Sequence, residues 1–190
     1  MSAPYKKLYT YWYSIIIYDL TVQFTNKFVR SWKLKEQMTG AARSGKQNIV
    51  EGSDSLKVSL KSGIKLSGVA KSSFEELIGD LEDYLRQNNL EQWMLSDERV
   101  TNIRRFNSNQ VRNLSNLHIS DKKRDEKRIL HKYKIPTKPE VACNLLLTLC
   151  HQVTFLLDRQ IEGLMKKHKI EGGLTEKLYK NRTEYRKILK

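Results

Sequence analysis

Hydrophobic residues recur at helical spacing along most of this chain. In residues 8–29, Leu8, Trp12, Ile15, Ile16, Leu20, Phe24 and Phe28 follow one another at three or four positions, the period of an α-helix. β-Branched and aromatic residues crowd the same stretch and favour a strand locally, but the long helical spacing outweighs that preference. Tyr13, Ile17 and Tyr18 make this first helix apolar almost all round. A helix in a monomeric bundle needs one buried stripe, so a second one points to an oligomer.

The second helix is expected over about 32–51, with Leu34, Met38, Ala41, Gly45 and Asn48 or Ile49 on its inner line and Gly52 just past its end. Ser53 or Asp54 then caps a third helix that runs to about residue 87. Its inner line is Leu56, Leu60, Gly63, Ser67, Ala70, Phe74, Leu77, Leu81 and Tyr84, with small residues in the first half and large ones in the second. Trp93, Met94 and Leu95 are expected to cover one end of the bundle. From 99 to 134 the pattern weakens, with room for one short helix and a second, polar one. Pro139 is good N1 material for the last long helix, which carries Val141, Leu145, Leu149, Gln152 or Val153, Leu156 and Leu164 at the helical period. After Gly172 and Gly173 comes a basic amphipathic tail anchored by Leu174, Leu178, Tyr185 and Leu189.

The fold class that follows is all-α: an up-and-down four-helix bundle over 1–168, with a basic insert at about 95–138 between helices three and four, and a short helical suffix at 169–190. Composition agrees with a folded helical protein, since 39% of residues are apolar, 29% charged and only three are proline. Cys143 and Cys150, about 10 Å apart on one helix, are too distant for a disulfide and read as buried thiols in a reducing compartment, the cytoplasm. The run "YWYSIIIY" is too short to span a membrane.

The formal charge of +14 calls for a polyanionic partner, nucleic acid before a membrane surface. Its distribution sharpens that reading. Residues 99–134 hold eleven Lys and Arg against three acids, and residues 166–190 hold nine against three, which accounts for the whole excess. Within the remaining neutral part, Lys57, Lys61 and Lys65 form an i,i+4 ladder, and Arg43 and Lys46 are expected at the same end. The candidate phosphate contacts are these five with Arg104, Arg105, Lys122, Lys123, Arg124, Arg182, Arg186 and Lys187. Glu75, Glu76, Asp80, Glu82 and Asp83 make the end of the third helix acidic, so pairing of acidic and basic ends across a subunit interface is a rival reading.

Catalytic patterns are missing. "GAARSGKQ" has only four residues between its glycines, Gln47 where a phosphate loop needs Ser or Thr, and no strand before it. The four histidines are scattered, no metal-ligand spacing occurs, and Asp80 and Asp83 read as a solvated acidic face rather than a magnesium site. The chain is read as a non-enzyme without metal or cofactor. The glycines at 40 and 45 instead read as spacing devices that let helix axes approach.

Residues Leu34, Gln37, Ala41, Ala42, Arg43, Asn48, Ile49, Glu51 and Gly52, followed by "SSFEELIGDLEDYL" and the tail "GGLTEKLYKNRTEYR", resemble a known group. It is the family of four-helix-bundle proteins encoded within intervening sequences of bacterial 23S ribosomal RNA genes, in its variant with a C-terminal suffix. Gln37, Asn48, Glu51 and Gly52 carry the signature. The resemblance implies an up-down bundle that assembles as a ring, typically a pentamer. It extends to the accessory proteins of diversity-generating retroelements, basic pentamers that bind nucleic acid and a reverse transcriptase. The insert at 95–138 departs from the compact family pattern. The alternative to nucleic-acid binding is therefore a structural adaptor docking to a protein partner such as a reverse transcriptase.

Overall fold

The computed structural model describes residues 4–116 and 127–188. A 3-10 turn at Pro4–Lys7 leads into α1 (Tyr9–Phe28), α2 (Trp32–Ser55), α3 (Leu60–Gln87), α4 (Glu98–Ser115), α5 (Pro139–Glu171) and α6 (Leu174–Ile188). The described residues contain no strand. Burial of Trp12, Ile16, Ile17, Leu20 and Phe24 along α1 overrides the strand preference of that stretch, since burial is worth about 1.5–3 kcal/mol per large side chain. Trp12 Nε1 donates to the Lys6 carbonyl at 2.9 Å and pins the preceding turn to the helix.

The joint between α2 and α3 lies later than the pattern suggests. Gly52 does not end α2 but sits buried inside it, and neither Ser53 nor Asp54 is a cap. The helix continues to Ser55, and Ser59 caps α3 by accepting from the Ser62 amide at 3.3 Å. Leu56, assigned to the third helix, closes the second. The reason is packing: a Cβ at Gly52 would stand 3.3 Å from Leu66 Cβ and 3.6 Å from the Gly63 carbonyl. Glycine serves here to bring two helices together, not to end one.

The α2–α3 seam is built from small residues meeting one large ring. A Cβ at Gly45 would lie 2.6 Å from the ring of Phe74, which is fully buried. Ser44 and Ser73 share a hydroxyl bond at 3.0 Å, and Asn48 Nδ2 donates to the Ser44 carbonyl at 2.9 Å. Gly40 behaves differently. It is exposed and nothing stands within 4 Å of a Cβ built there, so it is not a spacer.

Helix α5 packs along α3 in the opposite direction. Cys143 Sγ donates to the Leu81 carbonyl at 3.3 Å, while Asp158 accepts a 2.7 Å ion pair from Lys71 further up α3. Gln160 bridges three helices, accepting from Thr10 of α1 at 3.2 Å and donating to Ser67 of α3 at 3.5 Å. The core line of α5 is Ala142, Cys143, Leu146, Leu149, Cys150, Val153 and Leu157. Leu149 and Val153 match expectation, whereas Val141, Leu145, Leu156 and Leu164 are only half-buried. The run Leu145-Leu146-Leu147 is apolar on every side, so periodicity there cannot choose a face. An 18-residue window within Pro139–Ile188 has mean hydropathy 1.4, enough by composition to cross a membrane, and 61% of it is buried inside the protein.

The insert folds back onto the rest. Trp93 is buried, with its amide donating to Asn144 Oδ1 at 2.8 Å, but Met94 and Leu95 are 77% and 61% exposed and cover nothing. Asp97 caps α4, which lies against α1 and α5 and buries Val100, Asn107, Val111 and Leu114. Ile129 and Tyr133, just after a helical turn at 127–130 begins, are buried as well. Tyr13 shares a bond with Ser108 of α4 at 3.3 Å, and Tyr13 and Ile17 are both buried within the single chain. Burial of Tyr13 and Ile17 therefore needs no second copy of the chain, while Tyr18 stays half-buried. The suffix also departs from expectation, because α6 buries no residue. Leu178 and Tyr185 are 57% and 63% exposed and anchor nothing, and Leu189 lies outside the described residues.

Candidate nucleic-acid interface

The sequence-derived cations do not form one patch. Gly45 stands opposite Phe74, eleven residues and roughly 16 Å of helix rise from Gly63. Arg43 and Lys46 are therefore far along the axis from the lysine ladder, contrary to expectation. Lys46 turns toward α1, its Nζ 4.0 Å over the centre of the Tyr18 ring. Lys57 lies in the α2–α3 joint and pairs with Asp54 at 2.9 Å, which leaves Lys61 and Lys65 as the exposed ladder on α3 itself. Arg105 donates to Asn102 on α4, and Arg182, Arg186 and Lys187 are exposed on α6. Lys122, Lys123 and Arg124 lie outside the described residues.

What does converge is a different set. The 3-10 turn brings Lys6, and the end of the insert brings Lys127, His131 and Lys134, to one groove of about 800 Å³ along the middle of α1. Tyr18, Val22 and Leu130 provide ring and aliphatic surface in it. Among the described residues that line it the one acid is Asp19, whose carboxyl is raised by desolvation against a smaller opposing pull from the Lys46 ammonium. Gln23 fixes the far wall: its Oε1 accepts from the Ile135 amide at 3.0 Å and its Nε2 donates to the Tyr133 carbonyl at 3.4 Å. The excess of ammonium groups over carboxylate makes this groove attractive to phosphate.

Of the groove's cations, the three from the insert were legible. Lys127, His131 and Lys134 stand at i, i+4 and i+7, one face of a helix, in a stretch read as a polar helix and for its net charge. Lys6 has no such signal, because the Trp12 bond to its carbonyl places the turn that carries it. A second groove of about 690 Å³ lies between the start of α3 and the end of α5, where Lys61 meets Lys166 and Lys169 over Ile64 and Met165.

No family model, curated protein or solved structure matches the chain. The geometry alone carries the functional reading.

The other chemistries find little support among the described residues. No group of three or more His, Cys, Asp or Glu could hold a metal. Cys143 and Cys150 are buried free thiols, and burial pushes both well above the ordinary range, away from the reactive thiolate. The stretch 40–47 is continuous helix, with no loop of free amides to cradle a phosphate. Asp80 is raised by desolvation and by its neighbours Glu76 and Asp83, a crowded acidic face without a metal-binding partner set. Of the signature residues, Asn48 and Gly52 work in the α2–α3 seam, while Gln37 and Glu51 are exposed.

Proposed function

We propose that this protein is a non-enzymatic nucleic-acid-binding module, in which α1, α2, α3 and α5 form an up-and-down four-helix bundle and α4 with the following segment is an insert laid over it. The single observation that supports the reading best is the groove on α1, lined by Lys6, Lys127, His131 and Lys134, with Asp19 the one acid among its described lining residues. Neutralising phosphates releases condensed counterions, so affinity depends steeply on salt. Lys61 and Lys65, and the α6 cations, add a further positive field.

Fluorescence anisotropy with labelled RNA and DNA at two salt concentrations tests the reading. Four to six phosphate contacts predict a fall of roughly 50- to 2,000-fold between 50 and 200 mM salt, shallower for a single strand than for a duplex. Lack of micromolar binding to any RNA or DNA at low salt would refute it. One observation favours a second reading, a structural adaptor for a protein partner such as a reverse transcriptase: α6 exposes Leu174, Leu178, Tyr185 and Ile188 with nothing packed on them. Capture of a partner that survives nuclease treatment would favour that alternative.

A further inference from the structure

The groove on α1 has features that a purely electrostatic surface does not need. Its lysines share the lining with the aliphatic side chains of Val22 and Leu130 and with the Tyr18 ring. Lys46, 4.0 Å over that ring, holds it in place. Two bonds of Gln23, donation to the Tyr133 carbonyl and acceptance from the Ile135 amide, tie α1 to the end of the insert. The volume of about 800 Å³ falls in the range of about 300–1,000 Å³ typical of sites that enclose small organic groups.

A duplex uses such a groove poorly. Its bases are stacked inside and it offers phosphates on a convex surface, so the aliphatic side chains and the ring would meet nothing. A single strand can turn a base into the recess, stack it on an aromatic ring and leave its phosphates at the cationic rim. Resting on the nucleic-acid reading above, we infer that this groove binds one or two nucleotides of a single strand, with a base against Tyr18 and the flanking phosphates on Lys127 and Lys134.

Anisotropy on the full chain, with an eight-nucleotide single-stranded RNA, the same sequence as DNA, the corresponding duplex, and mononucleotides as competitors, tests the assignment. The single strands should bind at least tenfold tighter than the duplex, and mononucleotides should compete only at far higher concentration. Lys127→Glu with Lys134→Glu, both exposed, should weaken strand binding tenfold or more. The charge-matched pair Arg30→Glu with Lys33→Glu, exposed at the α1–α2 joint and outside the groove lining, should change it less than threefold. Tyr18→Leu should lose on the order of tenfold, the value of one stacked base, while keeping the salt slope; circular dichroism checks that it folds. Equal or tighter duplex binding would overturn the inference. So would mononucleotides binding as well as strands, or a loss confined to Lys61→Glu with Lys65→Glu, while the broader nucleic-acid reading would stand. Failure of every nucleic acid to bind would instead refute that broader reading.

Discussion

The seam between α2 and α3 and the seam between the insert and α1 and α5 are held together by different physics. In the first, glycine, alanine and serine let two helices approach until Gly45 lies under the Phe74 ring, and the polar atoms Ser44, Asn48 and Ser73 satisfy one another. In the second, Val111, Leu114 and Ile129 are buried beside a polar cluster in which Gln152 Nε2 reaches Tyr13, the Arg104 carbonyl and Ser108. Four buried side-chain atoms among the described residues lack a hydrogen-bond partner: Thr21 Oγ1, Asn107 Oδ1, Tyr133 OH and Gln152 Oε1. None is on α2 or α3. Asn107, Tyr133 and Gln152 belong to the insert and its contacts, and a buried unpaired group costs about 1–3 kcal/mol, so that seam carries a penalty that the α2–α3 seam lacks. The tight seam makes a frame, and the polar seam positions the groove.

The sharpest way to break this contrast is to overfill the tight seam. Gly45→Leu has no space beside Phe74 and should cost about 3 kcal/mol or more. Lys46→Ala loses a cation–ring contact worth about 0.5–1 kcal/mol and a screened attraction to Asp19. Gly40→Ala, in open space, should instead gain roughly 0.5–1 kcal/mol from helix propensity. Circular dichroism melts that rank Lys46→Ala below Gly45→Leu in stability would contradict the packing account.

Equal truncations in the two seams should read out differently. Leu77→Ala and Leu114→Ala both empty a fully buried site, and such changes cost about 2–5 kcal/mol. The first should lower the global melt by that amount. The second should appear chiefly as faster amide exchange in α4, with the α2 and α3 amides little changed.

These contrasts follow from what sequence can and cannot encode. Period and residue size revealed most of the inner lines of α2 and α3, because their apolar residues stand apart from polar ones; Met38, Ala41, Gly45 and Ile49 are all buried as expected. Gly52 misled because a glycine between helical stretches signals equally a stop or a close approach, and only the presence of Gly63 and Leu66 across from it decides. The α5 face was ambiguous through its leucine run. The cover over Tyr13 and Ile17 was invisible because it is made by residues about a hundred positions away, in a stretch whose charges concealed Val111 and Leu114. The groove was hidden likewise: its cations come from the N-terminal turn and the insert, and only tertiary folding joins them.

Smaller effects refine the picture of the polar seam. Tyr13→Phe breaks bonds to Ser108 and Gln152 and should cost about 1 kcal/mol. Tyr133→Phe removes a hydroxyl that has no partner and should be neutral or stabilising in the same melts. His151 provides the weakest test. Burial lowers its folded pKa below the ordinary 6.5, with Arg104 adding to the effect and Glu82 opposing it. Between the folded value and 6.5 the unfolded chain binds more protons, so this contribution to stability rises with pH and is complete above that window. His151→Gln should flatten the melting temperature measured from pH 5 to 7, leaving it nearly unchanged at pH 8.

Amide exchange of the intact protein, with and without a short single-stranded RNA at low salt, tests the central claim most directly. Without RNA, α4 and the 127–135 segment should exchange through openings of lower free energy than α2 and α3. With RNA, protection should rise at 127–135 and at residues 18–23 of α1, while the start of α3 and end of α5 stay unchanged. Protection confined to those latter two ends, or an insert already as protected as α2 and α3, would contradict the account.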